Sequence, residues 1–156
     1  MSVLEYQKRY ACHLVICAGG FFGLVAQTLL FRDFFTVYEG HELGIAAFFC
    51  TWLFGVAIGA LVARFPGRAM EWVTRRFAFL SLFYIPAYIL HAWLIGQSRA
   101  MAGVASYELF PVMDILPVSL VANAPVGVLT GLMFALACRW IAEVVQIPVA
   151  RVYMTE

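Results

Sequence analysis

The chain has 156 residues, of which 64% are hydrophobic and only 12% are charged, and its formal net charge is +1. Soluble domains are typically about 45–50% apolar and about 25% charged, so a soluble globule of this composition lacks the polar side chains to cover its surface. The composition therefore excludes a soluble enzyme, a disordered tail and a disulfide-rich secreted module, and the small net charge argues against nucleic acid as a partner. It predicts an integral membrane protein, with room for about four spanning helices of about 20 residues each.

Four apolar stretches predict an all-α integral membrane fold that forms one domain over residues 1–156. The predicted spans cover residues 10–31, 43–65, 76–96 and 116–138. We expect Arg32 and Asp33 to end the first span. Pro86 and Pro125 are interpreted as kinks, because neighbouring helices in a bundle can satisfy the carbonyl group that a proline leaves free.

The positively charged residues predict the orientation in the membrane. Eight of the ten Lys and Arg residues lie in the N-terminal segment, in the connection between the second and third spans, and in the C-terminal segment. The positive-inside rule assigns these segments to the cytoplasmic side. We therefore expect both termini in the cytoplasm and a multi-pass protein of the inner, cytoplasmic membrane.

Glycine pairs four residues apart occur in three of the four predicted spans. Such pairs form a flat stripe on which another helix backbone can approach closely. They predict a tight bundle, or a bundle that another chain completes. The candidate packing residues are Gly19, Gly23, Gly55, Gly59, Gly127 and Gly131.

The cysteines do not indicate a metal site. Cys12, Cys17, Cys50 and Cys138 all lie inside apolar runs, and none forms a CxxC pair. We interpret them as small apolar packing residues. No metal site is predicted.

Two groups of polar residues at membrane depth need an explanation. Gln27 lies inside the first span, where an interhelical hydrogen bond is the simplest interpretation. The connection after the first span is rich in charge, and we expect Arg32 to pair with Asp33 or Glu42, because guanidinium binds carboxylate well.

The third span offers a candidate redox site. Ser81, Tyr84, Tyr88 and His91 follow helical spacing along one stripe, and packing is the simpler interpretation of that stripe. The alternative is that His91 reaches the same outer level as the first connection. Quinol oxidation needs a nearby base, and two His residues on different helices can hold a haem iron axially. The candidate quinone or haem b residues are Arg32, His41, Glu42, Tyr88 and His91.

The sequence contains no motif for an independent enzyme. It has no phosphate-binding glycine loop, no HExxH and no GxSxG, and it leaves no soluble segment long enough to hold such a site. We therefore expect no enzymatic activity from the chain alone, apart from a contribution to a quinone site in a complex.

The first two spans resemble those of membrane-integral, spermidine-synthase-like proteins. The similar stretch runs from residue 20 to residue 59, and two shorter matches cover residues 125–134 and 151–156. In the first stretch the matching positions are Gly20, Gln27, Arg32, Asp33, Gly40, Glu42, Trp52 and Gly59. The resemblance implies a transporter-like membrane domain.

The chain departs from that family in ways that bear on function. His41 stands where the family often has Asn, and Ala135 follows Phe134 where Pro is usual. Family members commonly continue into an aminopropyltransferase domain, which this chain does not contain. The resemblance therefore implies the membrane fold and not the polyamine chemistry, and we expect either a split protein or a stand-alone domain.

Three functions follow as hypotheses. The first is a small integral membrane subunit that anchors or organises a larger complex, through other membrane subunits or self-association within the lipid bilayer. The second is a quinone- or haem-handling subunit of an electron-transport complex. The third is half of a transporter-like bundle that another chain completes.

Overall fold

A computed structural model describes residues 3–38, 42–65, 81–105 and 108–144 of the chain. These residues form helices and no strand, which confirms the all-α prediction for this part of the chain. A 3-10 turn over Ser81–Phe83 leads into the third helix. The four helices are α1 (Val3–Val37), α2 (Glu42–Arg64), α3 (Tyr84–Met101) and α4 (Val112–Val144).

Three of these helices are long and apolar enough to cross a membrane. The candidate spans are Ile16–Val37 in α1, Glu42–Arg64 in α2 and Val112–Trp140 in α4. The membrane class predicted from composition is thereby confirmed. The third predicted span corresponds to α3, which has 18 residues and is not among these three, and the predicted start at residue 76 lies outside the described residues.

Two predictions are wrong: the end of the first helix and the kink at Pro86. Helix α1 does not stop at Arg32 and Asp33 but continues to Val37, because neither residue removes a backbone hydrogen bond and both side chains stay accessible. Pro86 is the third residue of α3 and not a kink inside it, and a proline in the first turn costs no intrahelical hydrogen bond. Pro125 lies inside α4, which is continuous through it.

Consecutive helices run in opposite directions, so four helix termini meet at one end of the bundle. This loop end contains Val37, Glu42, Met101 and Val112. The connection from α3 to α4 begins at Gly103, whose φ of +66° lies in the left-handed region that favours glycine. At the other end the Arg139 side chain donates a 3.2 Å hydrogen bond to the carbonyl oxygen of Arg64.

Helices α2 and α4 form the most closely packed pair. A Cβ atom on Gly59 would overlap the carbonyl oxygen of Val128, and a Cβ atom on Gly131 would overlap the carbonyl oxygen of Val56. The two backbones therefore touch, as the glycine pairs in these spans predict. The glycine pairs of α2 and α4 are therefore buried against each other within the chain, and the third predicted pair, in α1, is not part of this contact.

Helix α1 joins the core mainly through its second half. Leu30, Phe34 and Tyr38 follow each other at four-residue spacing and are all buried. The Phe34 and Tyr38 rings stack with their centroids 4.0 Å apart, and Tyr38 also packs on Phe110 of the connection after α3. The loop end is thus closed by aromatic side chains.

Candidate functional site

A buried polar network joins three helices in the middle of the bundle. The Nε2 atom of His91 on α3 lies 3.0 Å from Oδ1 of Asn123 on α4. The Asn123 amide nitrogen donates to Oγ1 of Thr51 at 2.7 Å and to the carbonyl oxygen of Phe48 at 3.1 Å, both on α2. Thr51 in turn donates to the Ala47 carbonyl oxygen at 2.7 Å. The polar network is defined here as His91, Asn123 and Thr51, and all three are buried.

The network fixes the tautomer of the histidine. The Phe48 carbonyl oxygen only accepts hydrogen bonds, so the Asn123 nitrogen must face α2 and its oxygen must face His91. Nε2 of His91 therefore carries the hydrogen. In the neutral ring Nδ1 then holds a lone pair, and it makes no hydrogen bond. The ring lies beside the Trp52 indole, with a centroid separation of 5.9 Å.

A second polar group lies nearer the loop end. The Tyr38 hydroxyl lies beside the hydroxyls of Ser98 on α3 and Ser119 on α4, yet it makes no hydrogen bond of good geometry. Both serine hydroxyls donate to carbonyl groups of their own helices, Ser98 to Leu94 and Ser119 to Ile115. Their oxygens therefore remain available as acceptors.

Arg99 fixes the connection that covers this group. Its guanidinium donates to the carbonyl oxygens of Ala105, at 2.7 Å, and Glu108. A longer contact of 3.4 Å reaches the carbonyl oxygen of Val37 at the end of α1. The Arg99 side chain on α3 thus joins the connection between α3 and α4 to the end of α1.

Two of the five predicted redox residues, Arg32 and Glu42, are exposed near the loop end. Arg32 pairs with Asp33 at 3.6 Å, one of its two expected partners, but their side chains are 77% and 43% exposed. Glu42 is exposed at the start of α2, and His41 lies outside the described residues. Tyr88 is half-buried and packs against the core.

His91 lies deeper than the sequence predicted. Its neighbour Trp52 stands ten residues after Glu42 on α2, which is about 15 Å along a helix. The structure therefore does not bring His91 to the level of Glu42. It instead gives His91 a partner, Asn123, that in turn donates to Thr51. The sequence analysis selected neither residue, although an Asn inside an apolar span was a signal that could have found the first.

One stripe of α1 is only partly covered by the described part of the chain. Gly23, Gln27, Leu30 and Phe34 follow the spacing of one helical stripe. Leu30 and Phe34 are buried, whereas an added Cβ on Gly23 or on Gly19 would find nothing within 4 Å. We define Gly19, Gly23 and Gln27 as the open face of α1.

Gln27 on the open face lacks the interhelical hydrogen bond that the sequence predicted. Its side chain is half-buried, and no hydrogen bond joins its amide to the part of the chain that the structure describes. By contrast, the neighbouring Thr28 hydroxyl donates to the Leu24 carbonyl oxygen at 2.8 Å. Gln27 is therefore a polar side chain inside a candidate span, and it has no hydrogen bond to the described residues.

Among the described residues there is no cluster of three or more His, Cys, Asp or Glu side chains that can hold a metal ion. Cys17, Cys50 and Cys138 form no disulfide. Comparisons with protein families, curated proteins and solved structures found no match to this chain. The resemblance to spermidine-synthase-like membrane proteins therefore stays a prediction.

Proposed function

We propose that the chain is an integral membrane subunit that anchors or organises a larger assembly by binding a transmembrane helix of another polypeptide on the open face of α1. The observation that carries this proposal is the unpartnered amide of Gln27.

The depth of Gln27 makes its amide costly to leave unbonded. The candidate span in α1 runs over Ile16–Val37, so Gln27 lies at its midpoint, as far from either membrane surface as the helix allows. An amide without a hydrogen-bond partner in an apolar medium costs several kcal/mol. A glutamine side chain is also too short to reach the interface from there. A hydrogen-bonding group from another helix removes this cost.

The shape of the face supports the same conclusion. Gly19 and Gly23 leave the backbone of α1 bare next to Gln27, with nothing of the described chain within 4 Å. The matching glycines of α2 and α4 show how this chain uses such stripes, since there they bring two helix backbones into contact. A helix that docked on the open face could approach α1 as closely as α2 approaches α4, and its side chains would then lie within hydrogen-bonding distance of Gln27.

The covered part of the stripe favours a different polypeptide over a second copy. Leu30 and Phe34 continue the open face and are buried by the chain's own bundle. If two copies in the same membrane orientation packed face to face at Gly23, the helices that cover Leu30 and Phe34 in each copy would overlap. A separate helix with small residues and a hydrogen-bonding side chain at mid-depth avoids this collision.

The charge distribution supports placing this subunit in the cell membrane with the loop end outside. Arg64 and Arg139 meet at the end opposite to the loop end, and the other charged segments with excess Lys and Arg are connected to that end in sequence. The positive-inside rule assigns that end to the cytoplasm. Both termini are then cytoplasmic.

Purification from native membranes in a mild detergent tests the proposal. The tagged chain of 17.4 kDa should elute together with a second polypeptide in constant ratio. Gln27→Leu should release that polypeptide, because leucine keeps the apolar volume but offers no hydrogen bond. Thr28→Val is the matched control, since the Thr28 hydroxyl is already bonded to its own helix. A wild-type chain that elutes as a monomer, or a Gln27→Leu variant that keeps its partner, would contradict the proposal.

A further inference from the structure

The buried ring of His91 has one nitrogen with a hydrogen-bond partner and one without. Nε2 donates to Oδ1 of Asn123, and the donations of the Asn123 amide to Thr51 and the Phe48 carbonyl oxygen fix that orientation. Nδ1 is buried and makes no hydrogen bond. A proton on Nδ1 would place both a donor without an acceptor and a full positive charge in the bundle, and burial of either is unfavourable. The packed bundle therefore favours the neutral ring.

Among the described residues no charged side chain lies beside the ring to neutralise such a charge. His91 contacts Trp52 on α2 and Asn123 on α4, and neither residue is charged. On α2, α3 and α4 the charged side chains stand at least eight residues from these three, which is about 12 Å along a helix. On α1 the Arg32–Asp33 pair is exposed. The charged groups compared on α2, α3 and α4 are Glu42, Arg64, Arg99, Asp114 and Arg139, and the described tyrosines, which are neutral at ordinary pH, are Tyr38, Tyr84 and Tyr88.

Helix α3 depends on its packing against α4 more than the other helices of the core do. It has 18 residues and is not among the helices long and apolar enough to cross a membrane, whereas α2 and α4 are. Helices α2 and α4 are also joined by the backbone contacts of Gly59 and Gly131, which do not involve α3. The hydrogen bond from His91 to Asn123 joins α3 to this pair in the middle of the bundle. A change at His91 therefore acts on α3 first.

We propose that the contact between His91 and Asn123 is pH-sensitive: the neutral ring holds α3 against α4, and protonation of the ring releases α3. When α3 separates from α4 and the ring reaches water, Nδ1 takes a proton from a hydronium ion, which becomes water. One N–H bond forms and no other bond changes. The imidazolium ring cannot return to its buried place until it gives the proton back. Acid therefore stabilises the released state, and no proton has to enter the packed bundle.

The direction of the pH response follows from the number of protons that each state binds. In the released state the ring has the pKa of a free histidine, about 6.5. Above that pH both states hold the neutral ring, so the equilibrium between them does not depend on His91. Below it the released state binds one more proton, and its population relative to the packed state rises by up to about tenfold for each pH unit. Arg99 lies on the same helix, so its contacts with Ala105 and Glu108 at the loop end change with the release.

Hydrogen exchange followed by mass spectrometry on the protein in lipid nanodiscs tests this response. Exchange is compared between about pH 7.5 and about pH 5.5, where free carboxyl groups stay largely ionised, with exchange times scaled to cancel the pH dependence of the chemical step. We expect peptides of α3 to lose up to about tenfold of their protection below pH 6.5, while peptides of α2 around Gly59 keep theirs. His91→Gln should remove the response, because glutamine keeps a donor for Asn123 and takes up no proton.

The other histidines provide the matched control. The chain has three His residues, so the double variant His13→Gln/His41→Gln leaves His91 as the last one and should keep the full response. The double variant also decides the question if His91→Gln fails to protect α3 at the higher pH. The proposal would be overturned by protection of α3 that does not change with pH, or by a response that survives His91→Gln. A response lost in the double variant, or protection lost equally from α2 and α3, would also overturn it.

Discussion

Replacing Gly131 by alanine tests the packing on which the fold depends. The added Cβ would overlap the carbonyl oxygen of Val56 on α2, and that oxygen belongs to a helix backbone that cannot rotate away. The two helices must separate or tilt, and overpacking of this kind costs about 1–3 kcal/mol. Alanine favours the helix over glycine by up to about 1 kcal/mol, which offsets part of the loss. We therefore expect a net destabilisation of about 1–2 kcal/mol.

Equilibrium unfolding of the purified protein in mixed micelles measures this change. Circular dichroism follows the loss of helix as a denaturing detergent is added, and a difference of about 1.4 kcal/mol corresponds to a tenfold change in the unfolding constant. Gly19→Ala is the matched control, because its Cβ would find nothing within 4 Å. Equal unfolding curves for Gly131→Ala and the wild type would refute the account of the α2–α4 contact.

Three further substitutions have expected outcomes. Asn123→Ala should lower the free energy of unfolding by about 1–3 kcal/mol, measured in the same titration, because it leaves His91 and Thr51 without their buried partner; an unchanged curve would contradict the polar network. Arg99→Ala should accelerate proteolysis between α3 and α4, since the guanidinium binds the carbonyl oxygens of Ala105 and Glu108, and unchanged cleavage would argue against this role. Arg32→Ala should change the free energy of unfolding by less than about 1 kcal/mol, because its pair with Asp33 is exposed, so a larger loss would indicate a further partner.

The sequence predicted the membrane class, because that class depends on local composition. Runs of apolar residues identify a spanning helix without knowledge of its neighbours. Gly59 and Gly131 pack as predicted because only a residue without a Cβ permits contact between backbones. The sequence could not predict that α2 pairs with α4 and not with α1, and only the structure shows this pairing.

The candidate site was harder to predict, because it depends on the vertical register between helices. His91 was expected at the level of Glu42, but its contacts with Trp52 and Asn123 place it in the middle of the bundle. Helix α3 extends to Met101, five residues beyond the predicted end, which moves His91 inward. A periodic pattern gives the face of a helix but not its depth relative to another helix.

Photo-crosslinking from α1 tests most directly whether its open face binds another polypeptide. A photoreactive phenylalanine analogue at Gly20 stands beside Gly23 and Gln27, whereas the same analogue at Phe21, which is 70% exposed, points away from them. Irradiation of native membranes should attach a single protein to position 20, which mass spectrometry identifies, and position 21 should react with lipid alone. Crosslinks to lipid alone from position 20, or the same protein from both positions, would contradict the account.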